Sequence, residues 1–437
     1  MENICEKLSE GKTYTEIECE LLQETKRCAK ELMCVYVSQI DEEISRDKKG
    51  RKEAGYQVER RNDEKRIETQ LGEIVYLRTY YKKAAGGYEY LADRFFGLNG
   101  RERVSKGLSL CLANAARDMS YEKCSQYLTA GHISRQTVMS RVRQSSAKIP
   151  KLDTRLRCVS ELHIDADEAH ITLCGGKKSE VPLISIYEGI EKQCKRHICK
   201  NIFHISEYGK TPDELWEQVL SEIELRYDIS NTKIYVHGDG GNWIQTGLEW
   251  IPGAIFVLDK YHKNKAIKTM TAGLLDIDRK LFDREIRWAL NHEDLEYMDE
   301  ITENLCVQLP ERVDKILWNA RYLKRFVGGI SICLKDNGAN NGGCTEPHVS
   351  HILASRLSSR PMAWSIQTLK KFAPVLASGS AILCHSQQPT HLFNISKISV
   401  CNRFKKYAFG FPFPDSIPTL PITGKVTPTQ KLLKLFL

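Results

Sequence analysis

The segment Leu162-His-Ile-Asp-Ala-Asp-Glu constrains the fold more than any other stretch of this chain. Leu162, Ile164 and Ala166 alternate with His163, Asp165 and Asp167, the period of a strand with one apolar and one polar face. Both aspartates therefore share a face. Gly175-Gly-Lys-Lys reads as a turn, Val181–Tyr187 as a second strand and Arg196–Ser206 as a third. Strands this close in sequence pair most simply antiparallel. Thr211-Pro-Asp-Glu then marks a helix start, with Thr at the N-cap, Pro in the first position and Glu in the third. Leu215, Val219, Leu220 and Ile223 form the stripe that this helix is expected to bury. Lys233–His237 is a strand that delivers Asp239 at its end, followed by a helix over Asn242–Trp250 and a strand over Ala254–Leu258. Three strands, helix, strand, helix, strand predicts an α/β class with an RNase H-like catalytic domain, here bounded at 158–375.

The flanks read differently. Residues 14–45 predict one helix, carrying Ile17, Leu21, Leu22, Leu32 and Val35 among charged residues. Arg46-Asp-Lys-Lys-Gly-Arg-Lys breaks the apolar pattern and reads as a solvated linker, with phosphate contact as the sharper alternative. Arg66–Tyr81 has the β-branched and aromatic content of a hairpin with Gly72 near its turn, and Gly86-Gly87 is a second turn. Residues 260–335 are charged and helical, a helical insertion ahead of the last catalytic helix. The first 150 residues are expected to form a mostly helical, DNA-binding region containing the hairpin.

Within that region, Tyr121, Cys124 and Leu128 share a helix face, Gly131 breaks the helix, and Ser134 starts another. That is helix–turn–helix spacing, with Arg135, Gln136, Ser140, Arg141 and Arg143 on the second helix. Helices joined by a glycine turn also occur in plain bundles. A net charge of +8 permits a nucleic-acid partner without requiring one.

In the expected sheet, the first and fourth strands are neighbours, so an acid on one faces an acid ending the other. The third acid is Glu346. Pro347 suits a first helical turn, and Val349, Ile352, Leu353 and Leu357 follow as an apolar face. Three carboxylate sites of this kind can hold two Mg²⁺ (or Mn²⁺) ions about 4 Å apart, because hard cations prefer anionic oxygen. Taken singly, each is equally an ordinary surface acid among 56 Asp and Glu. No phosphate-cradling glycine loop with its Lys and no Gly-x-Ser-x-Gly elbow occurs, which removes nucleotide-driven motors and serine hydrolases.

The 15 cysteines follow no repeating frame and point to reduced thiols. Cys194 and Cys199, with His197 and His204 nearby, invite a zinc reading, but the spacing is unusual and no second Cys pair follows. No apolar run of about 18 residues predicts a spanning helix, and no secretion signal is visible, so a cytoplasmic protein without a membrane partner is expected.

Leu162-His-Ile-Asp-Ala-Asp-Glu-Ala-His, Gly238-Asp-Gly-Gly-Asn-Trp-Ile, Val257-Leu-Asp-Lys-Tyr-His and Cys344-Thr-Glu-Pro-His-Val-Ser-His, in this order, resemble the ISLre-type insertion-sequence transposases. Ala354-Ser-Arg-Leu-Ser-Ser-Arg-Pro-Met-Ala-Trp-Ser strengthens the likeness, which extends from about residue 15 to 375. The resemblance implies a DDE-type transposase that cuts and joins double-stranded DNA at element ends, acting as a homo-oligomer. It assigns the carboxylate triad to Asp167, Asp239 and Glu346, with Asp165 a rival for the first place. Asp259 and His262, just after the fifth strand, suit a supporting role near the metals or are a plain strand-end acid and surface His; Trp243 either stacks on a base or packs its helix. A nuclease or resolvase on the same fold, and a DNA-binding regulator, are the alternatives. Residues 376–437 depart from the family: they hold one acid (Asp415), seven Lys or Arg and six of the fourteen prolines, and read as an atypical, disordered or frame-altered tail.

Overall fold

In the computed structural model, residues 13–147, 155–193, 196–359, 362–379 and 381–383 are described. They fall into two compact units. Among these residues, the first takes in 13–66 together with 74–101, and the second combines 67–73 with those from 102 to 383.

In the first unit, helix α1 (Tyr14–Arg46) starts at a capping box between Thr13 and Glu16. Its buried face is confined to the C-terminal part, where Val37, Ile40 and Ile44 are enclosed. Leu21, Leu22, Leu32 and Val35 are exposed. The charged run expected to be a linker is instead helix α2 (Lys48–Glu53), because Asp47 caps it and Arg51 folds inward to donate to the Ser45 carbonyl. Strands β1 (Tyr56–Thr69), β2 (Gly72–Lys83) and β3 (Tyr88–Tyr90) form a three-stranded sheet, longer than the hairpin read from sequence. Ile40 and Ile44 share a core with Tyr56, Tyr81 and Leu91.

The second unit opens with α3 (Lys106–Ala115), α4 (Tyr121–Thr129) and α5 (Arg135–Gln144). Its sheet contains β4 (Glu161–Thr172), β5 (Lys178–Tyr187), β6 (Phe203–Ile205), β7 (Lys233–Gly238) and β8 (Ile255–Leu258), in the order β6-β5-β4-β7-β8. The first three pair antiparallel, while β7 runs parallel to both β4 and β8. The third strand is shorter than expected: Arg196–Cys199 folds back on Ile190–Gln193, and only Phe203–Ile205 joins the sheet.

Leu162, Ile164 and Ala166 of β4 pack against α6 (Pro212–Glu224) and α7 (Asn242–Trp250). The α6 stripe is Leu215, Trp216, Val219 and Ile223; Leu220 is only half-buried, since the larger Trp216 fills the interface. Its ring lies where a Cβ on Gly247 would stand, so the helices meet at a glycine. The insertion is helical throughout: α8 (Lys260–Met270), α9 (Asp276–His292), α10 (Leu295–Gln308), α11 (Val313–Arg325) and α12 (Val327–Lys335) share a core of their own.

Two boundaries move. Leu112, Val138 and Val142 of α3–α5 share one core with Ile171 and Leu183 of the sheet and with Leu353 and Phe372. The helix–turn–helix pair thus belongs with the sheet and not to a separate domain ending at 150. At the other end, α14 (Ile366–Ser378) crosses the expected limit at 375, and Ala381–Leu383 pairs antiparallel with Ser145–Ala147. The remainder of the atypical tail, 384–437, lies outside the described residues. Arg356 is enclosed near this junction. Its guanidinium carbon sits 5.4 Å from the Tyr121 ring, 4.9 Å from Trp364 and 5.4 Å from Phe372, and its Nε donates to the Ala116 carbonyl at 2.6 Å. No helix among the described residues is long and apolar enough to cross a membrane.

Candidate metal centre

Strand register builds the site. His163 and Asp165 of β4 lie opposite Tyr235 and His237 of β7, and His237 and Gly238 lie opposite Val257 and Leu258 of β8. One further step brings Asp167, Asp239 and Asp259 into a single row across three adjacent parallel strands. Asp167 lies on β4 itself, while Asp239 and Asp259 directly follow the ends of β7 and β8, and all three carboxylates act on the His262 imidazole.

Asp167 is buried, at 8% exposure, and its Oδ1 accepts the backbone N–H of Glu168 at 2.8 Å. Burial pushes its pKa up to about 6; the charges of Glu168 and Asp239 push the same way and His262 opposes them. Asp239 is half-buried. Its Oδ1 accepts the Gly241 N–H at 2.8 Å, and the Tyr322 hydroxyl of α11 donates to its carbonyl at 2.8 Å. Gly240 turns this loop with φ +86, and a side chain there would run into the Phe326 ring.

Asp259 is the N-cap of α8, accepting from the N–H groups of Tyr261 at 2.9 Å and His262 at 3.4 Å. Burial works against its charge, yet the neighbouring His262 and Thr345 side chains and the His262 N–H outweigh burial and hold its pKa below the ordinary carboxylate value. His262 Nδ1 lies 3.4 Å from Asp259 Oδ2. Burial disfavours its cation, but Asp259, Asp167 and Asp239 together raise its pKa. The supporting pair read from sequence is therefore in electrostatic contact with both strand acids.

The other acids divide. Asp165 is 2% exposed and serves as an anchor: it accepts from the Tyr187 hydroxyl at 3.0 and 3.1 Å, from the Gly343 N–H at 3.3 Å and from the Cys344 N–H at 2.8 Å. Beneath it, His163 and His237 meet at 3.0 Å, and a Cβ on Gly342 would overlap both rings, so the loop approaches at a glycine. This loop leads into α13 (Thr345–Val349), which packs against β4 and carries Glu346 in its first turn. Glu346 is exposed, and among the described residues no hydrogen bond or ion pair joins it to Asp167 or Asp239. Val349, Leu353 and Leu357 are buried as expected, with Ile352 partly so, although Ser350–Ala354 is a π-turn.

Glu168 points to the opposite face and accepts from Trp243 Nε1 at 2.9 Å. Burial raises its pKa, with Asp239 adding to it. Trp243 also tilts against Trp216 at 6.4 Å, so of the two sequence readings the packing role is the one observed. Glu168, His170 and Glu180 are the described side chains whose ligand atoms already lie within 4.8 Å of one another. Sequence reasoning named neither Glu168 nor the His163–His237 pair. The alternation of His163, Asp165 and Asp167 beside His237 and Asp239 was the available signal.

On α5, Arg135 and Gln136 are exposed and Arg141 is half-buried with Nη1 on Gln144 Oε1 at 2.8 Å. Arg143 departs from the expected DNA-facing set: its Nε and Nη2 donate to Thr368 Oγ1 at 2.9 Å and Ser365 Oγ at 3.0 Å. It ties α5 to α14.

The row of aspartates offers hard oxygen donors only, and burial together with the charges of Glu168 and Asp239 raises the pKa of Asp167. Such a set fits Mg²⁺ or Mn²⁺, whose charge would relieve that repulsion.

Comparison with known proteins places the chain. It is 34% identical over 372 residues to UPF0236 protein TTE2489 of Caldanaerobacter subterraneus subsp. tengcongensis, covering 84% of this chain and 78% of the relative. A second UPF0236 protein of that strain, whose name joins eleven locus designations from TTE0033 to TTE2212, is 35% identical with the same coverage. The "UPF0236 protein in vanSb 3'region" of Streptococcus gallolyticus is 24% identical over 377 residues, 82% of this chain and 81% of the relative. The model of the family described as "Uncharacterised protein family (UPF0236)" matches residues 7–382, and the chain belongs to that family.

Proposed function

We propose that this protein is a DDE-type transposase with an RNase H-like catalytic domain, cleaving DNA at element ends and joining the 3′ ends to target DNA. The observation that carries the reading is the row Asp167, Asp239, Asp259 on three adjacent parallel strands, in a sheet ordered β6-β5-β4-β7-β8. The resemblance to ISLre-type transposases supports it. So does the relative named by eleven locus designations in one strain, since a sequence that moves accumulates copies.

Asp167 and Asp239 would hold the ions, and Glu346 would complete the triad from α13. Divalent ions bound there supply Lewis acidity to an in-line attack by water or a 3′-hydroxyl. Asp259 Oδ2 stands 3.4 Å from His262 Nδ1, and Asp259, Asp167 and Asp239 together raise the pKa of that imidazole against its burial. Asp165 acts through the loop it anchors, setting where Glu346 stands. The exposed Arg135 and Gln136 are the proposed DNA contacts.

The test uses duplexes from the ends of the DNA that flanks the gene, with Mg²⁺, a supercoiled plasmid target and the purified full chain. Nicked ends and end–plasmid joints are expected, and both should vanish in Asp167→Asn and Asp239→Asn. Cleavage without joints would reassign the protein as a nuclease. Undiminished cleavage by either variant would remove the metal centre proposed here.

A further inference from the structure

A second group of metal-ligating side chains lies on the same sheet face, away from the aspartate row. Cys199 ends the short hairpin arm, and His204 follows five residues later on β6. The turn into α13 brings a matching pair, Cys344 and His348. Cys199 Sγ stands 3.8 Å from His348 Nε2 and the His204 and His348 rings are 5.4 Å apart, while the Cys199 and Cys344 thiols are near enough to shift each other's pKa, upward for Cys199 and downward for Cys344. Near Cys199 in sequence no second Cys pair with zinc-ligand spacing occurs. Folding supplies the missing second pair from about 145 residues downstream.

Each imidazole is also oriented as a metal ligand requires. His204 Nδ1 is engaged by Ser185 Oγ at 2.8 Å, and His348 Nδ1 faces Asp165 Oδ2 at 3.4 Å. Both rings therefore keep Nε2 for a ligand. A histidine whose second nitrogen meets a carboxylate or hydroxyl is the usual outer-shell arrangement around zinc. The donor set, two thiols and two imidazoles, selects a thiophilic ion over Mg²⁺. Without metal the arrangement is looser than a filled site. No three of the four ligand atoms lie within 4.8 Å of one another, and tetrahedral zinc would draw them to about 3.3–3.8 Å.

We propose that Cys199, His204, Cys344 and His348 form a structural Zn²⁺ site that pins α13 to the edge of the sheet. The ion would tie the β6 edge to the loop already held by Asp165, fixing Glu346 two residues from one ligand. The assignment of the ligands stands independently of the transposase reading.

The full chain, purified under reducing conditions from zinc-supplemented cells, should carry one tightly held zinc in addition to any ion at the aspartate row. Cobalt exchanged into it should give thiolate-to-metal charge-transfer bands and strong tetrahedral bands. Those bands should survive in Asp167→Asn, which separates the two sites, and in Cys174→Ser, a control at an exposed thiol. They should disappear in Cys199→Ser and Cys344→Ser. Should a serine variant fail to fold, thiol alkylation of the wild-type chain gives the same answer: Cys199 and Cys344 protected by zinc and exposed by a chelator, Cys174 reactive throughout. Cobalt bound without thiolate bands, zinc retained by a folded Cys199→Ser chain, or alkylation insensitive to the chelator would overturn the site. So would a Cys199–Cys344 disulfide whose reduction is followed by no metal uptake.

Discussion

The Cys344 N–H donates to Asp165 Oδ2 at 2.8 Å, which joins the first strand of the sheet to the loop that precedes Glu346. Asp165 and Asp167 are two residues apart on one face, yet one carboxylate is saturated by donors and the other is not. Asp165→Asn would turn an NH₂ toward the Tyr187, Gly343 and Cys344 donors and should cost about 3 kcal/mol, the penalty for leaving buried donors unpaired. Asp167→Asn should melt no lower than wild type but lose Mg²⁺-dependent cleavage by at least about 10³-fold. Thermal melts alongside cleavage assays check both. A stable, inactive Asp165→Asn chain beside an active Asp167→Asn chain would reverse the two roles.

Asp167 also sets a pH dependence. Its carboxyl binds a proton more tightly when folded, at about 6, than at the ordinary aspartate value of 3.8. The stability linked to that proton is present below the unfolded value and is lost as pH rises through about 6. In metal-free buffer at pH 8, Asp167→Asn should therefore be more stable than wild type by up to about 3 kcal/mol, converging with it near pH 4. Added Mg²⁺ should raise the wild-type melting temperature and leave the variant unmoved. Urea titrations across this pH range decide it, and a variant that is less stable at pH 8 would contradict the placement of Asp167.

Arg135 and Arg143 should behave oppositely although both lie on α5. Arg135→Ala, at an exposed site, should keep the melting temperature and weaken binding to element-end DNA, with a shallower salt dependence. Arg143→Ala breaks the bonds to Ser365 and Thr368 and should lower stability by about 1–3 kcal/mol. Equal affinities for Arg135→Ala and wild type across a salt series would return α5 to scaffold.

Gly240→Ala should disturb the site without touching a carboxylate. The positive φ is unfavourable for alanine, and the Phe326 ring occupies the space of its Cβ. A loss of about 1–3 kcal/mol and a drop in cleavage are expected, because the Asp239 loop must move. Phe326→Ala in the same chain should recover part of both, which a purely local backbone effect would not do.

How much of this was legible follows from which interactions are local. The alternation at 162–167, the Thr211 cap and the strand before Asp239 all encode their structure within a few residues, and each forms where it was read. Asp239 and Asp167 could be placed together because register follows from parallel pairing. The roles of Asp165, Arg143 and Cys344 depend on partners more than 100 residues away or on a loop with no periodicity, so no local pattern announced them. The apolar residues of α1 were misleading for a related reason. Helical spacing fixes which side chains share a face but not whether a partner covers it, and Leu21 and Leu22 remain in solvent.

The cage around Arg356 has a practical consequence for where this polypeptide can be cut. Its guanidinium lies within about 5.4 Å of the Tyr121, Trp364 and Phe372 rings, with its Nε held by the Ala116 carbonyl. A fragment ending between Arg356 and Trp364 would keep every candidate acid and still strip two aromatic walls from a buried cation. The charge would then have to hydrate in place, and α3 and α4 would lose their grip on the rest. The shortest self-sufficient piece of this unit must begin ahead of Lys106 and run through Ser378, so trimming a fragment to its acids alone would yield an insoluble product.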